Sequence, residues 1–280
     1  MRIKITSDST CDLAQNLCQK HNITLFPLTV VKNGESFKDN VTITPAEIFA
    51  HVAAGGSLCS TSAGNLGDYT ELFGRFSGEY DGVLHISLGS GFSSSYQNAC
   101  LAAEEFPNVM VVDSQNLSTG QGLVVLHACE LAASCQSLQQ LHDDVQAFTS
   151  RVEASFLLDR LDYMVKGGRC SAAAALGANL LNLKPCIEVK NGKMGVTKKY
   201  RGSYAKCLAN YVKDRLDGRE DLTRELIFLT YTTVTEPCRE AVLKAIEDYG
   251  HFQAMEECTA GCTISCHCGP GTLGVLYVRK

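Results

Sequence analysis

Four hydroxyl-rich segments recur in the first half of the chain, where predicted strands end. They are TSDST (6–10), CSTSAGN (59–65), SLGSGFSSSY (87–96) and VVDSQNLSTG (111–120). Serine, threonine, aspartate and glycine are typical of helix N-caps and turns, so each segment taken alone has an ordinary structural explanation. Four such segments at one sheet edge would line it with hydroxyl donors and free helix N–H groups, which suits a carboxylate or a phosphate.

The three consecutive serines at 93–95 are first tested as a hydrolase site. A nucleophile elbow has the pattern G-x-S-x-G, and the chain supplies Gly91 and Ser93 but has a serine at the position of the second glycine. His267 and Asp113 are available as base and orienting acid, but nothing in the sequence brings them together. A serine esterase that uses Ser93 stays as an alternative.

The chain has fourteen cysteines and no C-x-x-C pattern. Most stand alone in apolar or helical patterns, as is typical of small buried hydrophobic residues in a reducing compartment. The exception is a group around His267, which consists of Cys258, Cys262, Cys266 and Cys268. Structural zinc sites use two short knuckles set well apart, so a zinc-binding module at these four cysteines is retained only as an alternative.

Two glycine-rich segments remain. GPGTLG (269–274) fits the dinucleotide pattern G-x-G-x-x-G, but only six residues follow it, so it cannot open the required helix. In KGGRCS (166–171), Arg169 beside a helix start is able to hold an anion through two hydrogen bonds. A second basic group, which includes Arg201, follows a predicted hairpin and is expected on the solvated surface or against an acidic or phosphorylated partner.

The amino-acid composition and net charge exclude some classes of protein. The chain of 280 residues is 45% hydrophobic and 20% charged, with a formal net charge of −5. A net negative charge does not favour nucleic-acid binding, which needs a basic surface to bind phosphates. No apolar run is long enough for a membrane span or a signal peptide. We expect a cytoplasmic protein with one large or two smaller domains.

Alternating strands and helices indicate an α/β fold in the first half. The predicted strands are 2–6, 25–31, 82–86 and 109–112, and the predicted helices are 13–21, 44–54, 95–106, 120–133 and 138–152. Strands separated by helices of this length predict a parallel sheet flanked by helices, with ligands at the carboxyl ends of its strands.

The second half has a different pattern. Asn191 and Gly192 predict the type I′ turn of an antiparallel hairpin, which belongs to a different sheet. Further elements are a strand at 154–158, an alanine-rich helix at 172–181, helices at 203–216 and 236–249 around a strand at 226–231, and two short apolar runs at 263–266 and 275–278. We therefore predict an N-terminal α/β domain over 1–150 and a C-terminal mixed α/β domain over 151–280.

Taken in order, these segments resemble the DegV family of bacterial fatty-acid-binding proteins. The chain matches its motifs with TSDSTCDL (6–13), STS (60–62), SGFSSSYQNA (90–99), VVDSQNLSTGQG (111–122), LDYMVKGGRCS (161–171), LLNLKP (180–185) and CHCGPGTLG (266–274). The chain departs from the family at Ala63 and Gly64, where Gln-Pro is usual, and at Ser94, where glycine is usual. The resemblance implies a two-domain α/β fold that buries one long-chain fatty acid.

The resemblance also implies a role and a set of site residues. The role is that of a non-enzymatic carrier, without a cofactor, which presents the acid to a fatty acid kinase for conversion to an acyl phosphate for phospholipid synthesis. Transient contact with a membrane fits that role. By motif, the carboxylate lies near Thr61, Ser62, Ser93, Ser94 and His267. Arg169 is expected at the rim, and Arg201 is expected to contact the kinase or the phosphate.

Overall fold

The computed structural model describes residues 1–175 and 183–280 of the chain. The strands are β1 (Ile3–Asp8), β2 (Thr24–Phe26), β3 (Thr29–Lys32), β4 (Glu35–Lys38), β5 (Ser60–Ser62), β6 (Gly82–Ser87), β7 (Val109–Asp113), β8 (Val152–Leu157), β9 (Leu183–Lys190), β10 (Lys193–Arg201), β11 (Leu222–Tyr231), β12 (Ala254–Thr259) and β13 (Leu273–Arg279). The helices are α1 (Gln15–Lys20), α2 (Pro45–Ala53), α3 (Leu66–Ser77), α4 (Ser95–Ala103), α5 (Ser118–Ala132), α6 (Leu138–Phe148), α7 (Asp162–Gly167), α8 (Ser171–Ala174), α9 (Tyr204–Leu216), α10 (Glu236–Tyr249) and α11 (Cys262–Cys268).

The predicted parallel sheet is confirmed. Its strand order is β2-β1-β6-β7, and every strand pair in it is parallel. All six residues of β6 are buried, as expected for a central strand that is covered by helices on both faces. The carboxyl ends of β1, β6 and β7 therefore lie at one edge, next to the start of α4 and α5.

The strand predicted over 25–31 is wrong as a single element. It is divided at Pro27, and its two parts, β2 and β3, belong to different sheets. Proline has no backbone N–H to donate to a neighbouring strand, so the chain leaves the parallel sheet here. After this break β3 forms a small antiparallel sheet with β4 and β5, and β5 carries the STS motif.

The second half forms a six-stranded mixed sheet in the order β10-β9-β8-β13-β11-β12. The predicted hairpin is confirmed: β9 and β10 are antiparallel, and Asn191 and Gly192 have φ values of 51° and 69°. The first sheet ends at Asp113 and the second begins at Val152. The boundary at residue 150 stays a prediction, because the largest apolar core contains residues from both halves.

Several further elements differ from the sequence-based expectation. The structure contains two helices and three strands that were not predicted: α3, α7, β4, β5 and β12. The short apolar run at 263–266 is part of a helix, α11. Of the alanine-rich helix predicted over 172–181, the structure describes only α8, and residues 176–182, which include the first part of LLNLKP, lie outside the described residues. None of the helices within 1–175 and 183–280 combines the length and the apolar character that a membrane span requires.

Candidate functional site

One cavity brings together most of the polar residues predicted from the sequence. Together with the solvent-open space at its mouth, it contains about 540 Å³ that is not filled by protein atoms. Its predicted polar residues are Thr61, Ser62, Ser93, Arg169 and His267, and its apolar residues include Leu28, Leu88, Phe92, Leu117, Met164 and Met194. Ser62 and Arg169 are exposed and mark the mouth. We call this space the head cavity.

Three elements from distant parts of the chain supply the polar groups. β5 carries Thr61 at one wall, the loop between β6 and α4 carries Ser93, and α11 carries His267. The loop position of Ser93 follows from the parallel sheet, since β6 ends at Ser87 and its carboxyl end faces the cavity. The cavity is therefore formed where the parallel sheet, the small antiparallel sheet and α11 meet.

His267 is held by Thr61. Its Nε2 lies 2.8 Å from Thr61 Oγ1. Burial, together with the positive charge of Arg169, lowers the pKa of His267 to about 4, so the imidazole is neutral at pH 7. When Nε2 carries the proton it donates to Thr61, and the hydroxyl proton of Thr61 is then free to donate to a ligand.

Gly167 allows this arrangement of the histidine. A Cβ at residue 167 would lie 2.4 Å from His267 Nδ1, closer than real Cβ contacts. Among the residues with a described position, Nδ1 has no hydrogen-bond partner. The glycine of the K-G-G-R segment thus gives the imidazole the room it occupies.

The three serines have different environments. Ser93 Oγ accepts a hydrogen bond from Ser95 N (3.1 Å) and lies 2.9 Å from Ser95 Oγ. Ser95 Oγ, fully buried, also accepts from Gly64 N (3.2 Å). Ser93 therefore faces the head cavity, while Ser95 ties α4 to the loop after β5.

Ser94 does not join the site. It is the N-cap residue of α4, it makes no side-chain cap hydrogen bond, and it is exposed. It is not among the residues that line the head cavity. Ser95 is instead the first helical residue of α4, and its side chain is buried.

The two predicted arginines also differ. Arg169 is exposed at the mouth, where its Nη1 donates to Gly167 O (2.7 Å). Arg201 ends β10, is exposed and does not line the head cavity. The structure thus brings Arg169, but not Arg201, to the site.

A second, apolar cavity adjoins the first. Together with adjoining solvent-open space it contains about 370 Å³, and it shares Leu117, Ile264 and Cys268 with the head cavity. It lies between the start of α5 and the six-stranded sheet, with Phe156 and Leu276 in its wall. We call it the tail cavity.

α11 is fixed by two buried aspartates from the first 39 residues. Asp12 Oδ1 accepts from Gly261 N and Asp39 Oδ1 accepts from Cys262 N, both at 2.8 Å. Each carboxylate also accepts from a serine hydroxyl, Ser118 for Asp12 (2.6 Å) and Ser9 for Asp39 (2.8 Å). We call this arrangement the α11 clasp.

The clasp has an electrostatic cost. Burial raises the pKa of Asp12 to about 8, and the charge of Asp39 adds to the rise, while hydrogen bonds from Ser118 and Gly261 oppose it. A Cβ at residue 261 would meet Asn40 Nδ2 at 2.7 Å and Asp12 Oδ1 at 3.0 Å. The close approach of the clasp to α11 therefore requires a glycine at this position.

Thr263 is the hydroxyl-bearing residue of the head cavity that the sequence did not predict. It lies four residues before His267 in α11 and lines the same cavity. The i, i+4 spacing is the signal that would have identified it, had the run at 263–266 been recognised as a helix.

The geometry does not favour the two alternatives. Asp113 accepts from Ser90 N, Ser90 Oγ and Gln115 N, whereas the hydrogen-bond partner of His267 is Thr61, so an esterase triad at Ser93 is not assembled. Cys262 Sγ donates to Ile43 O (3.2 Å). No group of three or more His, Cys, Asp or Glu side chains in the described part of the chain is placed to hold a metal.

Comparisons with known proteins agree with this architecture. The sequence pattern described as "Uncharacterised protein, DegV family" matches residues 2–280. A DegV domain-containing protein of Clostridium acetobutylicum is 31% identical, and the alignment covers 100% of this chain and 99% of the relative. A relative of the same description from Deinococcus radiodurans is also 31% identical and covers 98% of each chain.

Two solved structures share the whole fold. A DegV family protein from Thermus thermophilus, described by its fatty acid binding, has a TM-score of 0.90 at 30% identity, with both chains covered fully. A DegV lipid-binding protein from Thermotoga maritima has a TM-score of 0.86 at 27% identity, again over both full chains. These similarities confirm the predicted two-part α/β architecture, with one parallel and one mixed sheet.

Proposed function

This chain belongs to the DegV family, and on that premise we propose that it binds one long-chain fatty acid across the head and tail cavities. The observation that carries the proposal is the junction between a polar and an apolar space. Thr61, Ser93 and His267 line the first, and Leu117 and Ile264 stand between the first and the second. A carboxylate fits the polar end and an acyl chain fits the apolar end.

The two ends make different contributions to binding. A buried carboxylate is costly unless donors replace its water, and the head cavity offers hydroxyls from Thr61, Ser62 and Ser93. Each buried CH₂ contributes about 0.8 kcal/mol, so a chain of about sixteen carbons offers roughly 12 kcal/mol before ordering costs. The tail therefore supplies affinity and the head supplies orientation.

We further propose that the protein is a carrier that presents the acid to a separate fatty acid kinase in the cytoplasm. In that reaction a carboxylate oxygen attacks the terminal phosphorus of the nucleotide, and the nucleoside diphosphate leaves. The product is an acyl phosphate for phospholipid synthesis. Neutral donors such as Thr61 and neutral His267 leave charge on the attacking oxygen, whereas a direct arginine pair would withdraw it.

The exposed arginines fit the same role. Arg169 at the mouth is placed to meet the phosphate or the kinase, and Arg201 is a second candidate for contact with the kinase. Delivery of the acid involves transient contact with a membrane or with the partner. The protein itself needs no cofactor for this role and performs no turnover alone.

Delipidated protein tests the binding step. We expect titration with hexadecanoic acid to give one bound acid per chain by calorimetry and native mass spectrometry. The double variant Thr61→Ala, Ser93→Ala should lose at least tenfold in affinity, about 1.4 kcal/mol or more, because two carboxylate donors are gone. Ser94→Ala is the matched control: its hydroxyl is outside the head cavity, and its affinity should stay within twofold. Failure of the unmodified protein to take up acid would refute the proposal.

Arg169→Ala separates binding from phosphorylation. We expect the variant to bind hexadecanoic acid with nearly unchanged affinity and to be phosphorylated more slowly by a partner kinase, because the arginine lies at the mouth. Abolished uptake of the acid would instead show that Arg169 holds the carboxylate itself.

A further inference from the structure

Thr263 lines the head cavity, and its hydroxyl is unpaired among the described residues. Its side chain is 4% exposed, and its Oγ1 has no hydrogen-bond partner within residues 1–175 and 183–280. A buried polar group without a partner is costly, so such a group in a cavity wall points to a ligand that completes it.

The local helix gives this hydroxyl no partner of its own. A threonine inside a helix commonly donates to the carbonyl four residues earlier. For Thr263 that residue is Thr259, which ends β12 and precedes the first helical residue, Cys262. Because Thr263 is the second residue of α11, its hydroxyl lacks the carbonyl acceptor that a threonine deeper in a helix would use.

The periodicity of α11 places Thr263 on the side of the head cavity. Ile264 and Cys268 line both cavities, whereas Thr263 and His267 line only the head cavity. Residues four apart share a helix face and are separated by about 6 Å along the axis. Thr263 thus lies one helical turn from the histidine at the proposed carboxylate position.

A simple fatty acid leaves this hydroxyl unpaired. The carboxylate already has donors from Thr61, Ser62 and Ser93. A hydrocarbon chain offers Thr263 no acceptor or donor. A hydroxyl on the second or third carbon is the ligand group next to the carboxylate that is able to form this hydrogen bond, at about 2.8 Å.

We infer that the site selects acyl ligands that carry a hydroxyl group next to the carboxylate, that is, 2-hydroxy or 3-hydroxy fatty acids, and that Thr263 recognises this group. The inference rests on the proposed function and adds the substrate class. The ligand hydroxyl and Thr263 exchange one hydrogen bond, while the carboxylate and the chain keep the positions already described.

The test is a ratio of affinities measured within each variant. Delipidated protein is titrated with hexadecanoic, 2-hydroxyhexadecanoic and 3-hydroxyhexadecanoic acid. We expect the unmodified protein to prefer one hydroxy acid over the simple acid by about fivefold, the effect of one net hydrogen bond. Thr263→Val keeps the shape, removes the hydroxyl and should abolish or reverse the preference. Thr263→Ser restores a hydroxyl and should restore the preference.

A ratio is insensitive to partial misfolding, because both ligands meet the same protein. Equal affinity of the unmodified protein for the three acids would overturn the inference. The same holds if Thr263→Val weakens all three acids equally, since Thr263 would then bind the carboxylate. If the unmodified protein binds none of the acids, the proposed function itself is wrong, and this inference falls with it.

Discussion

Asp8 and Asp12 lie in the same short segment and are both buried, yet their pKa values shift in opposite directions. Burial would raise the pKa of Asp8, but hydrogen bonding and charge from His85, with Tyr69 and the backbone of Leu88, bring it below its ordinary value. Burial raises the pKa of Asp12 to about 8, since its donors are neutral and a second carboxylate, Asp39, is close. Burial alone therefore does not set the charge of a carboxylate.

The two environments correspond to two roles. Asp8 accepts from Tyr69 OH (2.6 Å), Ser87 Oγ (2.8 Å) and Leu88 N (2.7 Å), and lies 3.3 Å from His85 Nε2. These contacts join the central strands to α3 inside the core. Asp12, by contrast, belongs to the α11 clasp, which holds the helix that carries His267. One acid stabilises the fold, and the other positions the site.

Asp8→Asn should have the largest effect. The change keeps the shape but leaves His85 and three donors without a carboxylate, which costs about 4 kcal/mol by analogy with other broken buried pairs. Urea unfolding at pH 7 measures the loss. Because the pKa of Asp8 is depressed, its stabilisation is present above pH 3.8 and is lost as the pH falls further, so the two proteins should converge in acid.

Tyr69→Phe is the milder companion, in case Asp8→Asn fails to fold. It removes one donor to Asp8 and should cost about 2 kcal/mol, as is typical of a hydrogen bond to a charged group. A loss below about 0.5 kcal/mol in both variants would mean that Asp8 is not an ionised, paired carboxylate.

Gly261→Ala tests the α11 clasp by pushing α11 away from Asp12 and Asp39. The new Cβ would meet Asn40 Nδ2 at 2.7 Å and the carboxylates of Asp12 and Asp39 at 3.0 and 3.2 Å, so α11 must shift. Overpacking of this kind costs about 2 kcal/mol of stability. We also expect affinity for hexadecanoic acid to fall about tenfold, because His267 and Thr263 move with the helix.

Gly195→Ala provides the control for this change. A Cβ at residue 195 meets no atom within 4 Å, so neither stability nor affinity should fall comparably. Unchanged lipid affinity in Gly261→Ala would show that the position of α11 is not set by the clasp.

α11 also shows where sequence reasoning reaches its limit. The helix predicted over 44–54 begins in the structure with a local capping box between Thr44 and Glu47. α11 has no such local signal, since the carboxylates that accept its first N–H groups come from residues 249 and 223 positions earlier. A cap supplied across the fold cannot be inferred from neighbouring residues.

The candidate site likewise contains residues that the sequence predicted correctly and one that it did not. The motifs predicted Thr61, Ser93 and His267, and the structure brings them to one cavity. The same motifs also placed Ser94 beside the carboxylate, but a one-residue step around the start of α4 turns it to solvent. Residue type and order predicted which chemistry is present, whereas the direction of each side chain depends on packing that no local pattern records.

Asp12→Asn should change stability in the opposite direction to Asp8→Asn and Gly261→Ala. With a folded pKa of about 8 and an ordinary value of 3.8, folding takes up a proton between these limits, so this group lowers stability as pH rises from about 4 to 8. Asparagine does not titrate, and its Oδ1 still accepts from Gly261 N. Urea unfolding from pH 5 to 9 should show a variant that gains stability relative to the unmodified protein as the pH rises and is the more stable of the two at pH 8. A variant that is less stable than the unmodified protein at pH 8 would place Asp12 in the same class as Asp8, an ionised carboxylate on which the fold depends.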